Sequence, residues 1–460
     1  MADYVTSPFN IAEVPADSNA LRTPLGFVTY GELRERINLK VQLLEESLDG
    51  LLICGFASDP DSIITYLAAI QSGRPIMLID PASGEKFVNG LIERFRPALL
   101  GGILGIDSKD LNEVEAPYSG ASKSLIYLPT SGSTGSAKMV RLPVSAISAN
   151  AKSISKALGI TNSQIAPLNL PLFYSYGVSI LNSHLVEGAC LALPGQNFME
   201  AEFWKRFDMW GCTSLAGVPI SYEMLKRLKF NPKDHPSLAY MTQAGGKLPL
   251  ELQVHFHELM DEAGGRFIVM YGQTEAGARM AVLPHEEFIN KKGSVGYAIP
   301  GGHFKILNDE NLEVSTNTVG QIMYSGPNVM HGYSEIATDD EYGDTSSGTL
   351  ATGDLGFLDD DDCLWVTGRS KRIAKIFGIR VNLDDVEQMA FSRGYVTAAL
   401  SGEDRLVLVV EGGEKNPQFV RDIAKELGVH HSGIIAFAID VIPTLPNGKR
   451  DYSGLTKLYC

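Results

Sequence analysis

Between Thr130 and Lys138 the chain reads Thr-Ser-Gly-Ser-Thr-Gly-Ser-Ala-Lys. Hydroxyls alternate with glycines, and a lysine closes the run. Glycine lets the backbone turn sharply and brings its N–H groups close to a ligand. Ser and Thr add hydroxyl donors, and Lys adds a compact positive charge. A polyphosphate, cradled by amides and hydroxyls, is the ligand that suits this set. The stretch taken alone also reads as a polar surface turn. It is not the Walker pattern, because Lys138 stands three residues beyond Gly135 and is followed by Met139.

The elements that must hold this loop alternate in type. Leu125–Leu128 is a short apolar run that predicts a buried strand leading into it. Upstream, strands at 51–54, 75–81 and 98–102 alternate with helices at 30–48, 59–72 and 86–95. Asp59-Pro60 is a good cap and first-turn pair. Downstream come helices at 144–158, 178–185, 198–210 and 249–263 and strands at 189–193, 214–219 and 267–270. That alternation predicts an α/β fold with doubly wound, largely parallel sheets. His255 and His257 fall on different sides of the last helix, so they read as surface and groove residues rather than a zinc pair. From Gly293 glycines and prolines become dense and strands short, which predicts a β-rich subdomain over about 293–368. Asp359–Asp362 reads as a solvated turn, since four consecutive carboxylates cannot converge on one ion. A small α+β unit follows to the C-terminus.

Length and charge bound the rest. At 460 residues the chain predicts two or three domains. Net charge is −15, which makes a nucleic-acid partner unexpected. From Arg369 onward there are 13 Lys/Arg and 11 Asp/Glu, whereas the preceding part has 26 against 43. That change marks a candidate boundary near residue 368, dividing 1–368 from 369–460. The five cysteines have no metal-ligand or redox spacing, which predicts a reduced, cytoplasmic setting. The N-terminus lacks the basic and apolar regions of a signal peptide, and no apolar run is long enough for a membrane span.

Seven spaced stretches then add up. They are the loop at 130–138, Gln243-Ala-Gly-Gly-Lys247, Tyr271-Gly-Gln-Thr-Glu275, Thr352-Gly-Asp354, Gly368-Arg-Ser-Lys371, Lys375-Ile-Phe-Gly378 and Pro446-Asn-Gly-Lys449. Each is weak alone. In this order, from about Phe27 to the C-terminus, the chain resembles the adenylate-forming superfamily of acyl-CoA synthetases, carrier-loading adenylation domains and firefly luciferase. The resemblance implies a large N-terminal domain and a small mobile C-terminal one. It implies ATP and Mg²⁺, a small carboxylic acid activated as its adenylate, and transfer to a thiol of CoA or of phosphopantetheine on an acyl carrier protein.

It also implies roles for individual residues. Thr130, Ser131, Gly132, Ser133, Thr134 and Gly135 would hold the β- and γ-phosphates, with Lys138 nearby. Thr134 and Glu275 would neighbour Mg²⁺. Gly245, Gly246 and Lys247 would line the adenine, with Tyr271 stacking on it and Gly272, Gln273 and Thr274 in the same motif. Asp354 would accept from the ribose hydroxyls, with Arg369 on the other side. Lys449 would bridge the reacting carboxylate and the α-phosphate. Lys371 would be the hinge, and Gly378 would border the thiol's path. The acyl group would lie among Tyr174, Val218, Gly246 and Ala276.

Two departures matter. Relatives usually close the loop with Pro-Lys-Gly, but this chain has Ala137-Lys138-Met139. Tyr174 stands where many acyl-CoA synthetases have histidine and amino-acid-activating members often have aspartate. Tyr174 cannot supply the negative charge that would pair with an α-amino group, so an acid without an α-amino group is expected. CoA is the favoured acceptor. A carrier protein in trans, or an amine, stays open.

Overall fold

The computed structural model describes residues 9–120, 122–130, 138–369, 372–377, 379–412, 416–446 and 448–460. Ser131, Gly132, Ser133, Thr134, Gly135, Lys371 and Gly378 lie outside them. The fold is mixed α/β, as the alternation predicts. A seven-stranded sheet runs in the order Gly332–Ser334, Met139–Pro143, Leu125–Pro129, Ile76–Ile79, Leu52–Gly55, Leu99–Gly101, Asn112–Glu113. Its centre is parallel, with Leu52 opposite both Ile76 and Leu99 and Ile76 opposite Ile126. The edges are antiparallel. Helices carry the crossovers, since parallel neighbours cannot be joined by a hairpin.

A five-stranded sheet positions much of the candidate site. Ser214–Gly217, Tyr240–Gln243 and Arg266–Tyr271 lie parallel and in register, Gly217 opposite Gln243 and Gln243 opposite Val269. Ala281–Leu283 and Tyr297–Ala298 complete it antiparallel. The three parallel strands therefore end together. They release Val218, Ala244-Gly245-Gly246 and Gly272-Gln273 at one edge, where open α/β sheets put their ligands. Helix Ser175–Leu185 is buried along its whole length, and its polar side chains are paired inside the protein, Ser179 Oγ donating to the Tyr176 carbonyl at 2.7 Å and His184 Nδ1 lying 2.8 Å from the Ile180 carbonyl.

The β-rich segment is a four-stranded antiparallel sheet, His303–Leu307, Gly320–Ser325, Thr349–Leu358 and Leu364–Arg369. Beyond residue 372 come a hairpin, Ile373–Ile376 with Ile379–Asn382, and a three-stranded sheet, Thr397–Gly402, Arg405–Glu411 and Ile434–Ile439. Helices Leu383–Phe391, Pro417–Leu427 and Tyr452–Tyr459 accompany them.

Local sequence accounts for several boundaries. Helix Tyr30–Glu46 starts with a capping box, in which Thr29 Oγ1 accepts from Glu32 N and Glu32 Oε2 accepts from Thr29 N. Asp59 caps Pro60–Ser72 through Ser62 N. Three expectations need correction. No element is expected before residue 30, yet strand Asn19–Thr23 forms there and pairs in parallel with Cys190–Ala192. The helix expected from Phe198 starts at Ala201. His257 is buried rather than in a surface groove, stacked between His285 at 4.2 Å and Phe288 at 4.5 Å. The acidic turn does link two strands, but Asp359 is held by Lys291 Nζ (2.9 Å) and Trp365 Nε1 (3.0 Å).

Candidate active site

Asp354 sits on Thr349–Leu358, directly opposite Arg369 in the antiparallel register. Arg369 Nε approaches its Oδ1 at 3.0 Å. The Tyr271 hydroxyl donates to Oδ2, and Gln273 Nε2 donates to the same oxygen at 2.8 Å. Gln273 Nε2 also reaches the Thr352 carbonyl at 2.8 Å. Three residues from two other stretches thus meet on one buried carboxylate. Burial and then the Asp354 charge hold the Tyr271 phenol well above its ordinary pKa, so it remains a donor.

Glu275 follows in a short turn, its Oε1 accepting from the Tyr333 hydroxyl at 2.9 Å. Thr274 is buried and shares a 3.0 Å hydrogen bond with Ser175. At the mouth of the 130–138 loop, Thr130 N donates to the Lys138 carbonyl at 3.3 Å. Lys138 Nζ lies 2.8 Å from Glu335 across exposed surface. The loop's ends are therefore joined, while 131–137 are outside the described residues.

Lys449 enters from the far end of the chain. Its Nζ lies 5.4 Å from the centroid of the Tyr174 ring, a cation–π contact. Burial first, and then repulsion by Arg369, pushes its ammonium down to about 8, while Glu275 and Asp354 pull the other way. Gly448 has φ +77, and a Cβ there would lie 3.0 Å from Val218 Cγ2. The next residue fastens the loop. Arg450 Nη1 donates to Glu387 Oε2 at 2.8 Å and to the Thr397 carbonyl at 2.9 Å, and Nη2 lies 3.6 Å from Glu223 on helix Pro219–Arg227.

Tyr174 and Val218 are buried together beside Gly245. Gly245 has φ +85, and a Cβ on it would lie 2.6 Å from the Tyr174 hydroxyl and 3.1 Å from Val218 Cγ1. Glycine is required there by both backbone and space. The Gly246 carbonyl accepts from Gln243 at 2.8 Å, and the Ala276 carbonyl from Asn328 at 2.7 Å. Lys247 turns to Asp385 on helix Leu383–Phe391, at 3.2 Å. Tyr333, Tyr176, Arg279 and Arg450 escaped sequence reasoning. An arginine directly before the apolar run Met280-Ala-Val-Leu283 was a signal for Arg279. No local pattern marks Tyr333.

A carboxylate fixed by three donors, a second carboxylate, a glycine-rich turn and a partly desolvated lysine suit a nucleotide and a reacting acid. Residues 10–334 match the family model described as AMP-binding enzyme, and the chain belongs to that family. It is thereby a member of the adenylate-forming, acyl-CoA synthetase-like superfamily.

Similar proteins include an oxalate–CoA ligase of Arabidopsis thaliana, 28% identical over 281 residues, covering 60% of this chain and 54% of that protein. The chain thus aligns with about half the length of that relative. A 4-coumarate–CoA ligase 5 of Oryza sativa subsp. japonica is 26% identical over 423 residues, covering 85% and 76%. Among solved structures, the o-succinylbenzoate CoA synthetase of Bacillus subtilis, in complex with its acyl-adenylate intermediate, superposes with a TM-score of 0.79 at 22% identity. That match covers 97% of this chain and 96% of that one. Among the described residues no helix is long and apolar enough to cross a membrane.

Proposed function

We infer that this protein activates a small carboxylic acid with ATP, forming an acyl-adenylate and pyrophosphate, and passes the acyl group to the thiol of CoA. The observation that carries the reading is the convergence of Lys449 with Tyr174, within electrostatic reach of Glu275 and Asp354. An ammonium there can neutralise the acid's carboxylate and the α-phosphate as they approach. In the first step an O–P bond forms to the α-phosphorus and the bond to the β-phosphate oxygen breaks. In the second, the thiol sulfur attacks the acyl carbon and AMP leaves.

In this reading Asp354 receives the ribose, Tyr271, Gly245 and Gly246 the adenine, and residues 130–135 with Lys138 the outer phosphates. Lys247 borders the adenine side. Glu275 is a hard oxygen donor suited to Mg²⁺, with Thr134 as its partner. Among the described residues no cluster of three or more metal-ligating side chains occurs, which fits an ion held mainly by phosphate and water. Mg²⁺ would supply charge neutralisation on the phosphates. The B. subtilis synthetase has been solved with ATP and a magnesium ion.

Residues 369–460 act as the mobile unit, turning about Lys371 so that Gly378 borders the thiol's path. The β-rich portion at 293–368 stays with the body. A cytoplasmic setting belongs to the same reading, supported by five cysteines that are all free thiols. The relatives named above are CoA ligases by name, which favours CoA over a carrier protein. The test is acid-dependent ATP–pyrophosphate exchange over a panel of acids, followed by thioester formation with CoA and with a carrier protein. Exchange confined to α-amino acids, or acyl transfer to carrier protein but not CoA, would refute it.

A further inference from the structure

Behind Tyr174 lies a buried cation that the reaction just described does not use. Arg279 is 3% exposed. Its Nη2 donates to Ser179 Oγ at 3.1 Å, and its guanidinium carbon stands 4.3 Å from the centroid of the Tyr176 ring. Its Nε is buried without a hydrogen-bond partner. Among the described residues no Asp or Glu pairs with it, and the titratable groups nearest it are the phenols of Tyr176 and Tyr174, which burial keeps neutral.

That is an unusual way to keep a buried arginine. Removing a guanidinium from water is costly unless carboxylates or several carbonyls replace the solvent. One neutral hydroxyl and one ring leave donors to spare. The residue is nevertheless held firmly in place. Asn150 Oδ1 accepts from the backbone N of Ala278 and of Arg279, and Asn150 Nδ2 and Asn328 Nδ2 both donate to the Arg279 carbonyl. Arg279 also lines a small cavity of about 20 Å³ with Tyr176, Ser179, Thr242 and Ala216. Such a space holds about one water-sized group, the size of a single carboxylate oxygen, so only the tip of a ligand would enter it.

The cavity is linked to the acyl end of the site through Tyr176, which lines it. Tyr174 and Tyr176 meet edge to face at 6.3 Å. Lys449 lies over the first ring and Arg279 over the second. The order is therefore ammonium, ring, ring, guanidinium, with the reacting end at Lys449.

We propose that Arg279 is the distal anchor of the acyl pocket and selects a dicarboxylic acid, one carboxylate reacting beside Lys449 and the other pairing with the guanidinium. The substrate's second carboxylate supplies the acid that the protein omits. Arginine's fork binds a carboxylate through two parallel hydrogen bonds, and a fixed, desolvated fork discriminates strongly against a methyl group. The same cation repels an ammonium, in keeping with the absence of an aspartate at Tyr174. This rests on the ligase reading above.

The test is pyrophosphate exchange by the full-length protein with paired probes: succinate with butyrate, adipate with hexanoate, suberate with octanoate. Wild type is expected to favour at least one diacid over its monoacid partner by about a hundredfold in kcat/KM. Arg279→Met is expected to remove that preference through the diacid's KM, leaving the monoacid equal or improved. Arg279→Lys should retain part of it, which a purely structural arginine would not produce. Wild-type preference for monoacids in every pair would overturn the proposal without any variant. An equal loss for both members of a pair in both variants would do the same. Failure of the ligase reading looks different: no exchange with either series, which removes the proposal along with it.

Discussion

Asp354 and Arg369 are direct partners across an antiparallel ladder, with Arg369 Nε 3.0 Å from Asp354 Oδ1. The other carboxylate oxygen is already taken by Tyr271 and Gln273. The acceptor is oriented before any nucleotide arrives, and a ribose would join or displace bonds that are already aligned. Asp354→Asn keeps the shape and removes the charge. It is expected to raise KM for ATP about ten- to a hundredfold, with little change in KM for the acid. Equal changes in both constants would show that Asp354 supports the site only structurally.

Lys449→Ala is expected to slow acyl-adenylate formation about a hundred- to a thousandfold. Thioester formation from preformed adenylate should be spared. Because the ammonium is pushed down to about 8 from 10.5, it loses its proton as pH rises through about 8. Only the protonated form can bridge two anions. The kcat/KM for adenylation should therefore fall on the alkaline side near pH 8, and the variant should lack that limb. A wild-type profile that stays flat through this range would count against the assignment.

Gly245→Ala places a methyl 2.6 Å from the Tyr174 hydroxyl at φ +85. The left-handed backbone alone costs about 1–2 kcal/mol. A lower Tm is expected, together with a rise in KM for the acid that exceeds any rise for ATP, because Tyr174 and Val218 must give way. Unchanged acid kinetics would place the acyl group elsewhere.

Lys371→Pro should leave pyrophosphate exchange intact and block transfer to the thiol, since proline removes the backbone freedom that a turn of residues 369–460 requires. Both halves proceeding at wild-type rate would remove the hinge from the mechanism.

The sequence was most informative where a feature is local. Helix Val144–Leu158 was legible to the residue, and so was the cap at Asp59, because periodicity and capping chemistry act within a few residues. Strand Asn19–Thr23 was not legible. It pairs with Gly26–Thr29 in a hairpin and also with Cys190–Ala192, far along the chain, and pairing at that separation leaves no local pattern. His257 was misread because helical spacing says which side a residue faces but not what packs on that side. At the site, motif residues on strand ends were readable as a set. The bonds among them, such as Gln273 to Asp354 or Tyr333 to Glu275, depend on how two sheets meet.

The three parallel strands that release Val218, Gly245 and Gln273 at one edge also constrain how such an enzyme can change. Their register is shared, so one added residue in any strand turns its side chains over and carries its loop out of line with the other two. Tyr176 and Arg279 make no hydrogen bond to the Asp354 cluster, and they contact each other, so a change at one is felt at the other. On the diacid proposal, a change of acid would come from substitutions at this pair, with the three strand ends left in register.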